Sequence, residues 1–595
     1  MALDVPAAAF LGVERSACGK RWRERPGDIG EAAAIAAQHS LPEIVGRLLA
    51  QRGIGAGEAP LFLAPRLREQ LPDPAHLRDM APAIERLVRA IHDEEPIVVF
   101  GDYDVDGATS AALLLRFFAA IGARASVYVP DRMREGYGPN APALLRLKGD
   151  GAAVVVTVDC GATAHEPLAS AAEAGLDVIV VDHHVTEPLL PPALALINPN
   201  RLDEDSPHGN LAAVGVAYLL VVALNRALRE AGWYLARPEP DLLQWLDLVA
   251  LGTVCDVVPL NGLNRALVAQ GIRVARRMAN PGMRALAAAA SANGPVDAYQ
   301  LGFVLGPRVN AGGRVGAADL GARLLATDDP AIAAELAQRL DAYNRERREI
   351  EARTVTAAIE QVEAAPQSPA LVFAAAEGWH PGVIGIVAAR LKERYERPAC
   401  VVALTDGIGK GSGRSVPGLA LGPAVIAARQ AGLLINGGGH AMAAGFTVAA
   451  DRIEALRDFL AERLGDGVQG APPVPELAID GALSAGGAQG GLIGHLDALA
   501  PYGAANPEPR FAFPGVRLAH VEPVGTGHLR CSLADALGEG RLAAIAFRVG
   551  DGPLGQFLAA SRGRAIHIAG HLRRDNYRGG EAVQLVIDDA APAEG

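Results

Sequence analysis

The sequence is poor in cysteine, and the cysteines it has form no recognisable site. The five, at positions 18, 160, 255, 400 and 531, are scattered along 595 residues, and no two of them make a C-x-x-C pair. This pattern argues against a disulfide framework and against a thiolate zinc site. It is typical of a protein that works in a reducing compartment.

Segments that would carry the chain into a membrane or out of the cell are also missing. Asp4 and Glu14 interrupt the basic-then-apolar order of a signal peptide. The longest clean apolar run, Leu211 to Leu224, is too short to span the ~30 Å core of a bilayer. We therefore expect a soluble, cytoplasmic protein that has no membrane partner.

Positive charge is not in excess. The net charge is −12 and the isoelectric point is about 5.7, which argues against a protein that coats nucleic acid through diffuse charge, although a local basic groove is compatible with these values. The length of 595 residues exceeds the ~250–300 residues at which single cores stop growing. The chain should therefore contain several domains.

The stretch from Ile97 to Leu115 is the centre of what the sequence does contain. Its first four residues are apolar, as in a strand buried on both faces. Asp102, Asp104 and Asp106 follow at alternate positions, so an extended backbone would place all three carboxylates on one side. Gly107 would then give a turn before a helix.

Carboxylates that are packed together repel one another unless a divalent cation neutralises them, and hard cations take oxygen ligands. This favours a metal site at Asp102, Asp104 and Asp106. The structural alternative is a solvated acidic turn, or Asp106 as a helix N-cap.

Strands and helices alternate from about residue 76 to 325, as in an α/β domain with a parallel sheet. The predicted strands are Ile97–Phe100, Ala125–Val129, Ala153–Val158, Val178–Val181 and Leu194–Ile197. Ligands bind such sheets beyond the carboxyl ends of the strands. Asp159 follows one of these strands, and Asp182, His183 and His184 follow the next.

Asp256 lies in an apolar segment after a predicted helix, and a nearly buried carboxylate needs a partner. A metal ion, a helix cap and a core salt bridge are all compatible with it. Carboxylates with one imidazole and no thiolate suit Mn²⁺ or Mg²⁺. The number of these ligands suggests two ions, which together would hydrolyse a phosphate ester or anhydride. The metal-site candidates are Asp104, Asp106, Asp159, His183 and Asp256.

Gly-rich segments further along the chain carry groups that suit phosphate. The segment Gly306–Gly316, interpreted as a loop, contains Arg308, Asn310 and Arg314, although the sequence alone favours an ordinary turn with surface arginines. The later segments, also read as loops, contain His380, Ser412, Arg414, Gly438 and His440. Three such segments in under a hundred residues make a purely structural interpretation of the later group less favoured.

Composition also divides the rest of the chain. We predict a helical lead-in over residues 1–75, the first α/β domain over 76–327, and a long charged connecting helix over 328–365. A smaller α/β domain over 366–468 and a region over 469–595 with five β-rich runs complete the chain. Five short strands with Gly-rich turns fit an all-β barrel of the oligonucleotide-binding (OB) type. Arg573 and Tyr577 are its candidate contacts to a single strand, although a solvated hairpin is the alternative.

The motifs GDYDVDG, VDCG, VDHH and GTVCDVVPL, in this order, resemble the successive motifs of the DHH phosphoesterase superfamily. GGGHAMAAGF resembles the motif of the DHH-associated second domain. YGAANPEPRF resembles the segment before the barrel in one branch only, the RecJ exonucleases. The resemblance covers the chain from about residue 76 to its end.

This resemblance implies a 5′-to-3′ exonuclease that is specific for single-stranded DNA, releases mononucleotides, requires Mn²⁺ or Mg²⁺, and serves recombination and repair. It implies the metal ligands Asp104, Asp106, Asp159, His183 and Asp256, with Asp102 and Asp182 beside them and His184 on the scissile phosphate. Arg308 or Arg314, with Ser412 and Arg414, would hold phosphates near the 5′ end, and His380 and His440 would line the groove. A single-strand-binding protein and a helicase are expected partners, and the family suggests a monomer.

Two other functions are compatible with parts of the pattern. A DHH hydrolase of cyclic dinucleotides, short oligoribonucleotides, pyrophosphate or polyphosphate would share the metal motifs but would not need a barrel. A non-catalytic nucleic-acid-binding scaffold would not need the complete set of ligands that this sequence retains.

Overall fold

A computed structural model describes residues 8–132, 135–364, 368–465, 474–535, 540–575 and 582–593. The strands are β1 Arg21–Glu24, β2 Ile97–Gly101, β3 Ala125–Tyr128, β4 Val154–Val158, β5 Asp177–Val181, β6 Ala195–Ile197, β7 Val372–Glu377, β8 Ala399–Thr405, β9 Ile408–Arg414, β10 Asn436–His440, β11 Ala443–Ala449, β12 Glu476–Ile479, β13 Gly481–Ala482, β14 Phe511–Val524, β15 His528–Ala534, β16 Arg541–Ala546, β17 Ala565–Arg574 and β18 Val583–Pro592.

The helices are α1 Ile29–His39, α2 Glu43–Ala50, α3 Ala59–Leu63, α4 Leu67–Gln70, α5 Met80–His92, α6 Val105–Ile121, α7 Ala141–Gly149, α8 His165–Glu173, α9 Ala213–Glu230, α10 Leu246–Cys255, α11 Gly262–Ala275, α12 Pro281–Ala289, α13 Gly306–Val315, α14 Leu320–Ala326, α15 Pro330–Ala364, α16 Ile384–Tyr395, α17 Leu421–Gln430, α18 Ile453–Gly465, α19 Gly490–Leu499 and α20 Pro553–Ala560. A π-helical segment, Gln300–Leu305, precedes α13. Short 3₁₀ turns lie at Phe10–Gly12, Pro74–His76, Trp233–Leu235, Leu242–Trp245 and Ala450–Arg452.

The chain forms two compact units. The first contains Met1–Pro72, Val257–Gln270 and Pro473–Gly595, and the second contains Asp73–Asp256 and Gly271–Pro472. Within the described residues, no helix combines the length and the apolar character needed to cross a bilayer.

A five-stranded parallel sheet, ordered β3-β2-β4-β5-β6, forms the first part of the second unit. Every residue of β2 and β4 is buried, which explains why these strands are almost entirely apolar in the sequence, and the hydroxyl of Thr157 in β4 donates a hydrogen bond to the Cys160 carbonyl oxygen. The predicted parallel α/β domain is confirmed, and each strand lies within one or two residues of its predicted position.

The rest of the second unit is a mixed sheet, ordered β10-β11-β9-β8-β7. The 35-residue helix α15 links the two sheets: it contacts α12, α13 and α14, and at its other end β7 and α16. The prediction of loops for the Gly-rich segments of this sheet was wrong, because the residues Gly409–Arg414 belong to β9 and Asn436–His440 form β10.

The first unit contains the predicted barrel. Strands β14, β15, β16, β18 and β17 are paired in this order, and β17 pairs back with β14 to close it. The N-terminal segment contains α1 to α4 and also β1, which pairs in parallel with β12. Trp22 of β1 is completely buried, and its indole donates a hydrogen bond to Asp589 at 3.0 Å.

Candidate active site

The carboxyl ends of three neighbouring strands deliver acidic and imidazole side chains to one place. Asp102 follows β2, Asp159 follows β4, and Asp182 follows β5. Three groups of potential ligand atoms, each within 4.8 Å of one another, result from this convergence. The groups are Asp102, Asp104 and Asp159; Asp106, His183 and Asp256; and Asp159, His183 and His184. The structure thus brings all the predicted metal ligands together.

The local geometry of the acidic stretch differs from the extended backbone that the alternation suggested. Helix α6 begins at Val105, and Asp104 is its N-cap, accepting a hydrogen bond from the Gly107 amide at 3.0 Å. Gly107 therefore lies in the first helical turn and not in a separate turn. It must be glycine because a Cβ there would lie 2.6 Å from the Asp102 carbonyl oxygen.

Asp106 is completely buried in this first turn. Its two carboxylate oxygens accept hydrogen bonds from the Ala213 amide at 2.6 Å and the Val214 amide at 2.9 Å. These amides belong to the first turn of α9, where the helix dipole favours negative charge. Asp106 therefore fixes the start of α6 against the start of α9.

His183 presents one nitrogen to the carboxylates. Its Nδ1 lies 3.0 Å from the Leu211 carbonyl oxygen, so Nδ1 carries the proton and donates it. Its Nε2 lies 3.4 Å from Asp159, 3.7 Å from Asp256 and 4.0 Å from Asp106. Burial lowers the pKa of His183, and so does the neighbouring His184. A neutral ring with a free Nε2 is the form that binds a metal ion.

Asp182 and His184 form a separate pair beside this group. An Asp182 oxygen lies 2.7 Å from the Nδ1 of His184, and the same carboxylate accepts hydrogen bonds from the amides of His183, His184 and Ala162. Burial opposes a charge on His184, but the hydrogen bond to Asp182 and the negative charges of Asp182, Asp256 and Asp104 together outweigh it and raise the pKa of His184 to about 9. The His184 side chain is 46% exposed and cationic at neutral pH, so it can meet an anion.

The other carboxylates of the site are buried close together and repel one another. Burial, and then the charges of neighbouring carboxylates, raise the pKa values of Asp102, Asp106 and Asp159 well above their ordinary value. The pKa of Asp256 rises to about 7, chiefly through burial and then through Asp104. Within the described residues, the Asp102 Oδ1 and Asp256 Oδ2 atoms are buried without a hydrogen-bond partner. Orphaned carboxylate oxygens in a converging oxygen-rich group fit hard divalent cations.

A cavity of about 720 Å³ has four cationic side chains in its described lining, Arg132, Arg314, Lys410 and Arg414, and one acidic side chain, Glu135. Its described lining includes Arg132, Tyr137, Arg314, Ser412, Arg414 and Gly438. Burial and the charge of Arg132 lower the pKa values of Arg314 and Arg414, that of Arg314 to about 10. Guanidinium groups crowded together in this way suit an anion with several oxygens, such as a phosphate.

Two tyrosines connect the cavity to the acidic group. Tyr103 stands between Asp102 and Asp104 in the sequence, and the Arg132 guanidinium lies 4.9 Å from the centre of its ring. The Tyr137 hydroxyl donates a hydrogen bond to the Asp159 carbonyl oxygen at 3.0 Å, while Tyr137 also lines the cavity. The cationic cavity and the acidic group are therefore parts of one site.

Sequence reasoning did not identify Tyr103, Arg132 or Tyr137 as site residues. Arg132 and Tyr137 follow β3, the edge strand of the parallel sheet. The rule that located the other site residues, to search beyond the carboxyl ends of the strands, would have found them had it been applied to this strand as well.

Several predicted phosphate contacts lie elsewhere. The segment Gly306–Gly316 is not a loop, since helix α13 occupies it. Arg308 forms an ion pair with Asp341 at 2.9 Å and donates to the Val304 carbonyl oxygen, so its guanidinium is already engaged. Asn310 is half-buried on the same helix, and the half-buried His380 accepts a hydrogen bond from the Gly382 amide at 3.0 Å. His440 is exposed at the end of β10.

On the barrel, Arg573 donates to Gln584 at 2.8 Å, and its guanidinium lies 4.9 Å from the centre of the Phe547 ring. His528 packs edge-on against the same ring. This gives the barrel one exposed group of aromatic and cationic side chains. Tyr577, the other predicted contact, lies outside the described residues.

Comparison with known proteins agrees with this architecture. The DHH family N-terminal domain matches residues 96–253, the DHHA1 domain residues 367–466, and the RecJ OB domain residues 479–589. The chain is 39% identical to the single-stranded-DNA-specific exonuclease RecJ of Dickeya dadantii, over 93% of this chain and 96% of the relative. It is 36% identical to the protein of the same name from Escherichia coli, over 95% of this chain and 98% of the relative.

A solved structure leads to the same result. The crystal structure of RecJ in complex with Mn²⁺ from Thermus thermophilus superposes with a TM-score of 0.79 at 30% identity, covering 96% of this chain and 80% of that one. The predicted fold class and the resemblance to this branch are thereby confirmed. With matching domains in matching order, and relatives that align over nearly their whole length, the chain belongs to the RecJ family of exonucleases in the DHH group.

Proposed function

We propose that the protein is a 5′-to-3′ exonuclease that is specific for single-stranded DNA and releases 5′-mononucleotides in DNA recombination and repair. The observation that carries this proposal is the contact between the acidic group and the arginine-lined cavity through Tyr103 and Tyr137. The substrate follows from the relatives, which are named single-stranded-DNA-specific exonucleases.

Divalent cations are the cofactors that this site fits. Asp104, Asp106, Asp159, His183 and Asp256 would hold two Mn²⁺ ions, with Mg²⁺ able to replace them, and RecJ from Thermus thermophilus has been crystallised with each of these ions. When bound, such ions activate water and neutralise the charge on the reacting phosphate. The orphaned oxygens of Asp102 and Asp256 support this assignment. Asp102 lies beside the ligands.

The other residues of the site position the phosphate that is cleaved. Asp182 accepts four hydrogen bonds from its surroundings and keeps the His184 ring protonated and oriented. His184 can then donate from Nε2 to an unesterified oxygen of the scissile phosphate. Because negative charge on that oxygen grows in the transition state, a fixed cationic donor lowers the barrier.

The arginine-lined cavity gives the reaction its polarity. Arg132, Arg314, Ser412 and Arg414 would bind the phosphate at the 5′ end of the strand. A strand held in this way places the next phosphodiester beside the carboxylates. Cleavage there releases one 5′-mononucleotide and leaves a new 5′-phosphate that can enter the same cavity.

The proposal also includes the domain division, the working form of the protein and the further contacts to the strand. We propose the domain division 1–75, 76–327, 328–365, 366–468 and 469–595, with the barrel holding the strand through Arg573 and Tyr577. A monomer in the cytoplasm, assisted by a helicase and a single-strand-binding protein, is the proposed working form. Asn310, His380 and His440 are proposed contacts to the strand outside the phosphate cavity, and Gly438 is a proposed contact within it. Of the two arginines of α13, we propose Arg314 as the phosphate contact and not Arg308, whose guanidinium is paired with Asp341.

The test is digestion of a single-stranded DNA oligonucleotide that carries a label at either end, with Mn²⁺, beside the same DNA as a blunt duplex. Rapid release of mononucleotides from the 5′ end of the single strand alone is the expected result. The Asp159→Ala variant, assayed in parallel, shows that any release depends on this site. No release from DNA, together with hydrolysis of cyclic dinucleotides or pyrophosphate, would keep the metal site and overturn the substrate.

A further inference from the structure

Two exposed aromatic rings, Tyr299 and Phe303, are stacked on each other near the active site. Their centroids lie 5.1 Å apart with an interplanar angle of 26°, and the residues are 65% and 71% exposed. They stand one turn apart at the π-helical segment that precedes α13. Such segments are frequent at functional sites. Only 5% of the residues in this chain are aromatic. An exposed pair of stacked rings offers a flat apolar surface on which another planar group can stack.

This pair shares a helix with a residue of the phosphate cavity. The backbone stays helical across Leu305 and Gly306, so the π-helical segment and α13 form one continuous helix from Gln300 to Val315. Arg314, near its end, lines the cavity. Eleven residues make three helical turns, so Phe303 and Arg314 lie on the same face, roughly 15 Å apart along the axis.

The burial pattern of the helix agrees with this geometry. Leu301, Leu305, Val309 and Gly312 are buried or nearly so, and they form the face that packs inward. The stripe on the other face, with Phe303, Pro307, Asn310 and Arg314 at positions i, i+4, i+7 and i+11, is partly or largely exposed. No acidic side chain belongs to this stripe, so a polyanion can lie along it.

The start of the helix packs against the residue that precedes Asp256. The Cys255 thiol donates to the Leu301 carbonyl oxygen at 3.6 Å, and Cys255 directly precedes Asp256. A strand with its 5′-phosphate at Arg314 and its first phosphodiester at the carboxylates would continue along the stripe toward the aromatic pair.

We propose that Tyr299 and Phe303 are a stacking platform for bases of the single-stranded DNA substrate, a few nucleotides 3′ of the cleavage point. The inference rests on the proposed function and extends it to the path of the strand. Base stacking on aromatic rings is independent of sequence, which suits an exonuclease that must accept every base. Bases in a duplex are paired and stacked, so they cannot use the platform, and this adds to single-strand specificity.

The experiment measures initial release of the first nucleotide from 5′-phosphorylated strands in which an abasic unit is placed at successive positions from the 5′ end. In the wild type, abasic units at the positions that reach the platform should raise KM roughly tenfold, since stacking contributes on the order of 1–3 kcal/mol per base. In Phe303→Ala the KM for the intact strand should rise by a similar factor, and abasic units there should have no further effect. Phe303→Trp should restore the sensitivity.

Leu235→Ala is the matched control, because Leu235 is a hydrophobic residue of the same unit, 92% exposed, on a 3₁₀ turn that contacts α9. It should respond to abasic units as the wild type does. The same abasic sensitivity in Phe303→Ala as in the wild type would overturn the platform, and the pair would then be a surface for a protein. A wild type that releases nothing from single-stranded DNA would instead overturn the proposed function, and the platform with it.

Discussion

The repulsion among the carboxylates predicts an unusual response of the metal-free protein to pH. The pKa of Asp256 in the fold is about 7, against an ordinary value of 3.8. The unfolded chain therefore loses this proton at a lower pH than the folded chain. The contribution of Asp256 to the free energy of unfolding is therefore complete below about pH 3.8 and is lost as the pH rises toward 7. A salt-bridged aspartate shows the reverse behaviour.

A shift of this size corresponds to about 4 kcal/mol of lost stability above pH 7. This is an upper limit, because a proton taken up by a neighbouring carboxyl group relieves part of the same repulsion. Asp256→Asn removes the charge and keeps the size of the side chain. We therefore expect this variant to melt several degrees higher than the wild type in EDTA near pH 7.5, and by a smaller margin near pH 5, where only part of the stability has been lost.

Mn²⁺ should reverse the order. The wild type gains stability by binding the ions, whereas Asp256→Asn lacks one ligand and gains less. Thermal melting by circular dichroism, with EDTA or with Mn²⁺ at both pH values, measures the four combinations. Asp205→Asn, at an exposed carboxylate, controls for the loss of one negative charge. An Asp256→Asn protein that is less stable than the wild type in EDTA near pH 7.5 would refute the reasoning.

Three further predictions concern catalysis and substrate binding. Asp159→Ala should reduce kcat by more than about 100-fold, because the loss of a residue that only supports a metal ligand already costs up to that factor. The circular dichroism spectrum should be unchanged. A smaller loss of kcat would show that Asp159 is not a metal ligand. Arg414→Ala should raise KM about 10- to 100-fold, since a hydrogen bond to a charged group contributes about 1.5–3 kcal/mol, and it should do so for 5′-phosphorylated but not 5′-hydroxyl strands. Tyr103→Leu should weaken the preference for 5′-phosphorylated strands several-fold, because a cation–π contact contributes about 0.5–2 kcal/mol. Tyr103→Phe keeps the ring and should keep the preference. Equal effects of the two substitutions would show that the ring does not position Arg132.

The parallel sheet and the acidic group were predictable because their signals are local. A strand buried on both faces must be almost entirely apolar, and β4 is an uninterrupted run of five buried residues. The residues that follow the carboxyl ends of parallel strands meet at one edge of the sheet, whatever the conformation of the loops. This is why Asp159 and His183 could be placed together from the sequence alone, before any distance was known.

The secondary structure of the Gly-rich segments could not be predicted, because these positions require glycine only on account of residues that are distant in the sequence. A Cβ at Gly313 would lie 2.6 Å from the Tyr103 carbonyl oxygen, and one at Gly411 would lie 2.0 Å from the Phe446 ring. Glycine is therefore required for close packing of a helix and a strand, not for a turn. In the sequence these positions look the same as glycines that allow left-handed backbone, and so loops were predicted.

The separation of charge within the site explains why it can bind both metal and phosphate. Within the described residues, no ion pair joins Arg132, Arg314 or Arg414 to a carboxylate of the acidic group, although the charge of Arg132 acts on Asp102 and that of Asp104 acts on Arg314. Direct pairing would neutralise both groups, and each ligand would then have to break ion pairs before it could bind. The Arg132 guanidinium lies over the Tyr103 ring, and repulsion dominates within each group together with burial, so that carboxylate pKa values are raised and guanidinium pKa values are lowered. In the proposed function, cations would relieve one repulsion and the 5′-phosphate would relieve the other, so that the binding of each ligand would release free energy already present in the folded protein.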